Sequence, residues 1–272
     1  GAGLAVTDLD GDGLADLAIG APAADSSSSA VGTAWVFFGP LSGALDVDDA
    51  DAQLVDGFRS EAGETVRAIG DQDGDTIADL LVGAPGRGGD AVYVVAGGPR
   101  GRTSLTAWPG LTWSTADSET GAALAAGDVN GDGTDDLLVG APGWSSDQGA
   151  ATLVYGPVTA GGLLSDGVSL YGDSGAARAG ESVSIADDLD GDGYADVVVG
   201  APGSRGASTG EQGVVTVHFG PLSFTGLATG LADRTVEAPT GSGAYAPSCG
   251  VSVDASGDLD ADGTPDLVIG CY

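Results

Sequence analysis

Methionine and lysine are missing from this chain of 272 residues, and histidine occurs once. Eight arginines stand against 40 acidic residues, a formal net charge of −32. So negative a surface argues against nucleic acid or an anionic membrane as partner. No apolar run approaches the length of a membrane span, so no membrane insertion is expected in this segment, and no stretch reads as a signal peptide. Helical 3.6-residue periodicity of useful length is also absent, and Gly or Pro punctuates the chain every ten residues or so.

Catalytic signals are thin. His218 lies in an alternating run, where its side chain simply occupies one face of a strand. A catalytic base would need a nucleophile and an orienting acid beside it. No G-x-S-x-G elbow, H-E-x-x-H helix or phosphate-cradling loop is present, and the opening Gly1 and Gly3 resemble a phosphate loop only superficially. The chain is expected not to be an enzyme. Cysteine occurs twice, at Cys249 and Cys271, where the preceding repeat has the small residues Ala179 and Ala201. Both lie in one repeat, on strands that a loop joins as a hairpin, so a disulfide is expected in place of two free thiols, as suits an oxidising compartment.

What the chain has in abundance is one acidic nine-residue loop, written five times from residues 8, 71, 128, 188 and 258. Position 1 is Asp8, Asp71, Asp128, Asp188 or Asp258, and position 3 is Asp10, Asp73, Asn130, Asp190 or Asp260. Position 5 is Asp12, Asp75, Asp132, Asp192 or Asp262, and position 9 is Asp16, Asp79, Asp136, Asp196 or Asp266. Ca²⁺ takes six to eight oxygen ligands, and a tight loop with alternate side chains turned inward supplies them. Position 7 would add a backbone carbonyl, from Leu14, Ile77, Thr134, Tyr194 and Thr264. Solvated turns would not require carboxylates at four fixed positions.

Electrostatics point the same way. Two carboxylates about 4 Å apart repel by roughly 1 kcal/mol in water and roughly 4 kcal/mol at an effective dielectric near 20. Three or four converging acids therefore oppose folding unless a cation sits among them. Up to five Ca²⁺ are expected, which would reduce the net charge to about −22. Such weak sites suit the millimolar Ca²⁺ outside cells, so an extracellular or cell-surface location is expected. A cation with open positions can also activate water, but a loop that fills most of the coordination sphere itself is structural.

The loops are not EF-hands. Position 12, where that motif needs a bidentate Glu, is Ile19, Val82, Val139, Val199 or Ile269. The apolar runs after position 9, each stopped by Gly, read as short buried strands. Loop starts are 63, 57, 60 and 70 residues apart, room for about four strands each. In the second repeat these are 64–69, 80–82, 91–96 and 111–114. Third strands elsewhere are read at 33–38, 151–155 and 214–219, and fourth strands at 53–55, 168–171 and 234–237. Four-stranded antiparallel units at a fixed period describe an all-β fold, the β-propeller, over 1–272 as a single region. First and second strands recur five times and third and fourth four times, giving four full blades and a partial fifth.

The loop, the apolar strand and the Gly-Ala-Pro that follows at 20–22, 83–85, 140–142 and 200–202 resemble FG-GAP repeats. Those repeats form the N-terminal propeller of integrin α subunits and occur in bacterial surface proteins. The resemblance implies a propeller of about seven blades, of which this chain is a part, with a cation loop joining the first two strands of each blade. There are departures: Ala62, Thr120, Ala179 and Cys249 stand where the family has Phe, and the last Gly-Ala-Pro reads Gly270, Cys271, Tyr272.

The expected function is a calcium-stabilised extracellular binding or adhesion module for a protein or glycan. The alternatives are an accessory propeller of a secreted enzyme whose catalytic domain lies elsewhere, or a structural spacer in a surface protein. Recognition is expected on the loops opposite the cation loops, at 23–31, 86–90, 143–149 and 203–212. These carry Arg87, Trp144 and Arg205, residue types that dominate binding hot spots. The second loop is expected to be the weakest site. Four loops have Gly at position 6 (Gly13, Gly133, Gly193, Gly263), where the second has Thr76. That outweighs the charge lost at Asn130, which Asp135 partly restores.

Overall fold

The computed structural model describes residues 2–24, 32–57, 59–86, 90–115, 117–204, 213–237 and 248–272. Arg87 and Arg205 lie outside them. The chain divides into two compact units, Gly1–Gly121 with Gly156–Leu163, and Ala122–Tyr155 with Leu164–Tyr272.

The first unit holds two sheets. One pairs Leu4–Thr7, Asp16–Ala21, Thr33–Phe37 and Ala52–Val55 in an antiparallel meander. The other repeats the pattern with Val66–Ile69, Asp79–Ala84, Ala91–Val95 and Gly110–Thr112. In the second unit the sheets are Ala123–Gly127, Asp136–Ala141, Ala150–Val154 and Val168–Tyr171, then Ser182–Ala186, Asp196–Ala201, Val214–His218 and Arg234–Glu237. A hairpin of Cys249–Gly257 with Asp266–Cys271 follows. Strands read from the sequence fall where expected, within one or two residues. Every acidic loop joins a first strand to a second.

A fifth strand was not expected. Gly101–Ser104 lies parallel to Ala52–Val55, Gly162–Leu163 to Gly110–Thr112, and Gly226–Leu227 to Val168–Tyr171. Each comes from the connection between third and fourth strands of the following repeat and covers the edge that the fourth strand would otherwise expose.

Three second strands, Asp79–Ala84, Asp136–Ala141 and Asp196–Ala201, are buried on both faces, while Asp16–Ala21 alternates and Asp266–Cys271 is only partly covered. This is why the three read as unbroken β-branched runs instead of alternating ones. In the first unit a core of Val36, Leu54, Val66, Leu80, Val82 and Val95 forms between the two sheets. In the second, Leu138, Leu153, Leu170, Val197 and Val199 form one core, and Val198, Val215, Val217 and Ala255 another. The glycine of Gly-Ala-Pro makes this nesting possible. A Cβ at Gly20 or Gly83 would strike the backbone of Gly63 or Gly121 in the next repeat, and Gly140 and Gly200 stand in the same relation to Gly180 and Gly250. Gly63, Gly121, Gly180 and Gly250 all hold φ between 82° and 90°, a region that a side chain strains.

Cys249 faces Cys271 across the last hairpin, Cα atoms 4.0 Å apart and bridged by a disulfide. Mass spectrometry of the unreduced protein is expected to find no free thiol.

His218 is buried in the second unit, 1% exposed, with Nε2 3.0 Å from the Thr216 hydroxyl. Burial brings its pKa down from 6.5 to about 4, against the opposing pull of Asp233 and the Leu231 backbone. A depressed folded-state value means the unfolded chain binds the proton first. The stability contributed by neutral His218 is complete above pH 6.5 and falls away as pH drops towards 4. Between pH 7 and pH 4 the wild type should lose about 3 kcal/mol more than a His218→Gln variant. Denaturant unfolding of both proteins at the two pH values measures it; equal losses would refute it.

Candidate metal centres

Each loop is folded by its own carboxylates. Asp8 accepts the N–H of Gly11 at 2.8 Å on one oxygen and that of Gly13 at 2.8 Å on the other. Asp71 does the same with Gly74 and Thr76, Asp128 with Gly131 and Gly133, and Asp188 with Gly191 and Gly193. In the last loop Asp258 takes Asp262 and Gly263. Position 5 then accepts the N–H of position 7: Leu14 on Asp12, Ile77 on Asp75, Thr134 on Asp132, Tyr194 on Asp192 and Thr264 on Asp262.

Position 9 has a second task that sequence reasoning missed. Asp16, Asp79, Asp136 and Asp196 are buried, at most 1% exposed, and each accepts the N–H of position 2, from Leu9, Gln72, Val129 and Leu189. Asp266 accepts from Leu259 but is only half-buried. The carboxylates of Asp16, Asp79 and Asp196 also reach further. Asp16 takes the N–H of Gly39 at 2.7 Å, Asp79 that of Gly97 at 2.9 Å and Asp196 that of Gly220 at 3.0 Å. Those glycines lie two residues beyond the third strands, so one carboxylate clamps the loop to the neighbouring turn of its own blade. The signal was an Asp always followed by a short apolar run.

Side-chain oxygens converge as a hard cation requires. Oxygens of Asp8, Asp10 and Asp16 lie within 4.8 Å of one another, as do those of Asp71, Asp73 and Asp75, of Asp188, Asp190 and Asp196, and of Asp258, Asp260 and Asp262. In the third loop Asn130 hydrogen-bonds Asp132, through its Nδ2 at 2.9 Å and through its Oδ1 to the Asp132 amide. The oxygen-only donor set fits Ca²⁺ or a similar ion, and Asp10 Oδ1 is buried with no hydrogen-bond partner. Carboxylate oxygens that accept one N–H retain a lone pair for an ion.

The charges are unevenly held. The Gly13 amide keeps Asp8 below the usual carboxylate range, and the Thr76 amide does so for Asp71. Burial pushes Asp79 up to about 6, against the amides of Gln72 and Gly97 and with Asp73 and Asp75 adding to the rise. Asp196 is raised by burial too. Asp8 and Asp71 thus stay ionised readily, while Asp79 and Asp196 resist their charge.

The loop also demands two left-handed residues. Position 4 has φ of 77°, 87°, 74° and 85° at Gly11, Gly74, Gly131 and Gly191, and position 6 has 84°, 87°, 96° and 95° at Gly13, Gly133, Gly193 and Gly263. Thr76 adopts the same turn at φ 75°, and so does Ala261 at position 4 of the last loop, at 61°. The sequence flagged Thr76; the need at position 4, and so the strain at Ala261, went unnoticed. Position 7 packs on the preceding loop: a Cβ on Gly131 would lie 2.9 Å from the Tyr194 ring, and one on Gly11 would lie 3.3 Å from Ile77.

The FG-GAP repeat profile matches residues 1–37, 120–154 and 179–218, each spanning a first strand, a loop and the two strands after it. The chain is built of FG-GAP repeats. It is 33% identical to integrin alpha pat-2 of Caenorhabditis briggsae over 227 residues, 75% of this chain and 17% of that protein. Human integrin alpha-IIb is 36% identical over 170 residues, 56% of this chain and 14% of that protein. Bovine phosphatidylinositol-glycan-specific phospholipase D is 34% identical over 166 residues, 54% and 19% of the respective chains. The chain therefore spans less than a fifth of the length of the curated relatives it matches. Its sheets are the blades of an FG-GAP β-propeller with the acidic loops between first and second strands, as the sequence led one to expect.

At position 6 of the second FG-GAP loop, conformation and not space is the obstacle, since a Cβ at Gly13, Gly133, Gly193 or Gly263 meets nothing within 4 Å. A strained left-handed residue costs of order 1–3 kcal/mol. Because Thr76 already holds this turn without an ion, Thr76→Gly should stabilise the fold by about 1–3 kcal/mol and raise the melting temperature. Thermal melts of both proteins in EDTA check this; equal melting temperatures would show that the turn is unstrained.

Proposed function

We propose that the chain is a calcium-stabilised extracellular propeller that binds a protein or glycan partner through the loops opposite its cation loops. The convergence of carboxylate oxygens in repeated, internally hydrogen-bonded loops carries this reading. The ligands would be Asp8, Asp10, Asp12 and Asp16 with the Leu14 carbonyl, and their counterparts in the other four loops. The similarity to integrin α subunits supports an adhesion role outside the cell. No helix among the described residues is long and apolar enough to cross a membrane.

Loops joining second to third strands leave the blades at the end opposite the cation loops. The one at 143–149 supports recognition there. Trp144 is half-buried and stacks on Tyr171, ring centroids 4.6 Å apart. Beside it Ser145, Ser146 and Asp147 are exposed and hold φ of 54°, 61° and 64°. Three successive left-handed residues persist only where their surroundings fix them, and such strain gathers at binding sites. The fixing contacts come from the next blade, where Arg178 donates to Asp147 at 3.2 Å and to Glu181 at 2.7 Å.

A second reading rests on the phospholipase D similarity: an accessory propeller whose reaction is performed by another domain. Pull-down from extracellular extracts, with the chain in Ca²⁺ and then in chelator, separates the two when combined with phosphodiesterase assays of the captured material. A cell-surface or matrix partner retained only with Ca²⁺, and weakened at least tenfold by replacing Arg87, Trp144 and Arg205 with Ala, supports the first.

Calcium should also contribute heavily to stability. At about 2 mM Ca²⁺ and a site constant near 10⁻⁴ M, each site adds roughly 1.8 kcal/mol. Five sites approach about 9 kcal/mol, comparable with the whole stability of a typical domain. A large fall in melting temperature in EDTA, reversed by Ca²⁺, is the expected result; a melt indifferent to EDTA would overturn the calcium reading.

A further inference from the structure

Arg100 sits where the third strand of the second blade turns back, just after Pro99. The corresponding residues after the Gly-Pro of the other blades are Leu41, Val158 and Leu222, and the second blade has an extra glycine, Gly98, before its proline. The Gly98 amide donates to the Leu9 carbonyl in the first cation loop. This anchors the turn against that loop and delivers the guanidinium to it. Arg100 Nη2 lies 3.1 Å from Asp10 Oδ2, and Nη1 lies 3.6 Å from Asp51 Oδ1. Its guanidinium carbon stands 4.3 Å from the centre of the Phe38 ring. Asp51 in turn accepts the Phe38 amide at 2.8 Å, so the platform under the arginine is itself tied down.

The Asp10 carboxylate is thereby divided. Its Oδ2 faces the arginine, while Oδ1 is buried without a hydrogen-bond partner and the residue converges with Asp8 and Asp16. A single position-3 carboxylate serves both a permanent cation of the next blade and the place where an exchangeable one would bind. We propose that Arg100 is an internal counter-cation of the first loop, which lowers that loop's affinity for Ca²⁺ and in exchange stabilises its unliganded form. This rests on the reading of the loops as calcium sites. The physical reason is that Arg100 relieves part of the carboxylate repulsion that Ca²⁺ would otherwise relieve, and repels the divalent ion from the far side of Asp10. By linkage the two effects are reciprocal: whatever factor the arginine removes from Ca²⁺ affinity, Ca²⁺ removes from the arginine's contribution. A unit charge and a divalent ion roughly 6 Å apart in a water-like dielectric, partly screened by salt, interact enough for roughly a three- to tenfold change.

The test is Ca²⁺ titration of the wild type, Arg100→Gln and Arg100→Lys, followed by amide NMR at residues 8–16 and 188–196, with the chelated melting temperature of each. Arg100→Gln keeps a hydrogen-bond donor but loses the charge. It should bind Ca²⁺ roughly three- to tenfold more tightly at 8–16, leave 188–196 unchanged, and melt lower than wild type in EDTA. Arg100→Lys should stay near the wild type on both counts. Unchanged or weaker binding at 8–16 in Arg100→Gln, with normal binding at 188–196, would overturn the counter-cation role alone. Absence of a Ca²⁺ response at every loop of the wild type would overturn the calcium reading, and this proposal with it.

Discussion

The buried carboxylate that ends four of the five acidic loops is the constraint on which the blade depends. Asp16, Asp79 and Asp196 each accept one amide from inside the loop and one from the turn after the third strand. An amide buried without a partner costs about 1–3 kcal/mol, more when the partner lost is charged. Removing one of these carboxylates would orphan two amides and release the turn from the loop. The same residue opens the doubly buried second strand, so the polar clamp and the apolar centre of the blade are adjacent in sequence. Charge is tolerated in so buried a place because hydrogen bonds to it replace water, though burial still lifts Asp79 and Asp196 above the ordinary range.

From that clamp the rest of each unit follows by close approach. A second strand buried on both faces needs apolar cover on each side, and the covering sheet can come near only where the Gly of Gly-Ala-Pro meets the glycine that opens the next blade. Two glycines without side chains, one of them at positive φ, let backbones approach and leave Val, Leu and Ala to fill the cores between sheets. The composition, rich in Gly and β-branched residues and poor in aromatics, is what this geometry asks for.

Much of this was legible because its signals are local. Short strands such as Ala91–Val95 and Val214–His218 announce themselves by β-branched runs between glycines, and the loops by carboxylates at fixed spacing. What escaped depends on partners distant in sequence. Gly101–Ser104 has no buried residue and no pattern, and becomes a strand only because Ala52–Val55 offers an open edge. Gly39 and Asp16 are 23 residues apart, and Arg100 and Asp10 are 90. No spacing rule connects them. Ala261 was overlooked for a different reason: alanine is bland in sequence, and only the backbone reveals that its position demands positive φ.

The hydrogen bonds also define what a cation would add. Amide-to-carboxylate bonds at positions 1, 5 and 9 already fix the path of the loop, so an ion would enter a formed cradle and spend little of its binding free energy on ordering the chain. Its work would be electrostatic, offsetting the mutual repulsion of carboxylates that the backbone amides hold together. That division explains why Thr76 and Ala261 can occupy left-handed positions at all. The strain is carried by a network of bonds such as those from Gly74, Asp75 and Thr76 to Asp71, which persists whichever residue stands at the turn. The backbone pattern is the invariant; the side chains at positions 4 and 6 set how much strain it carries, and Ile77 and Tyr194 at position 7 set the contact with the loop before.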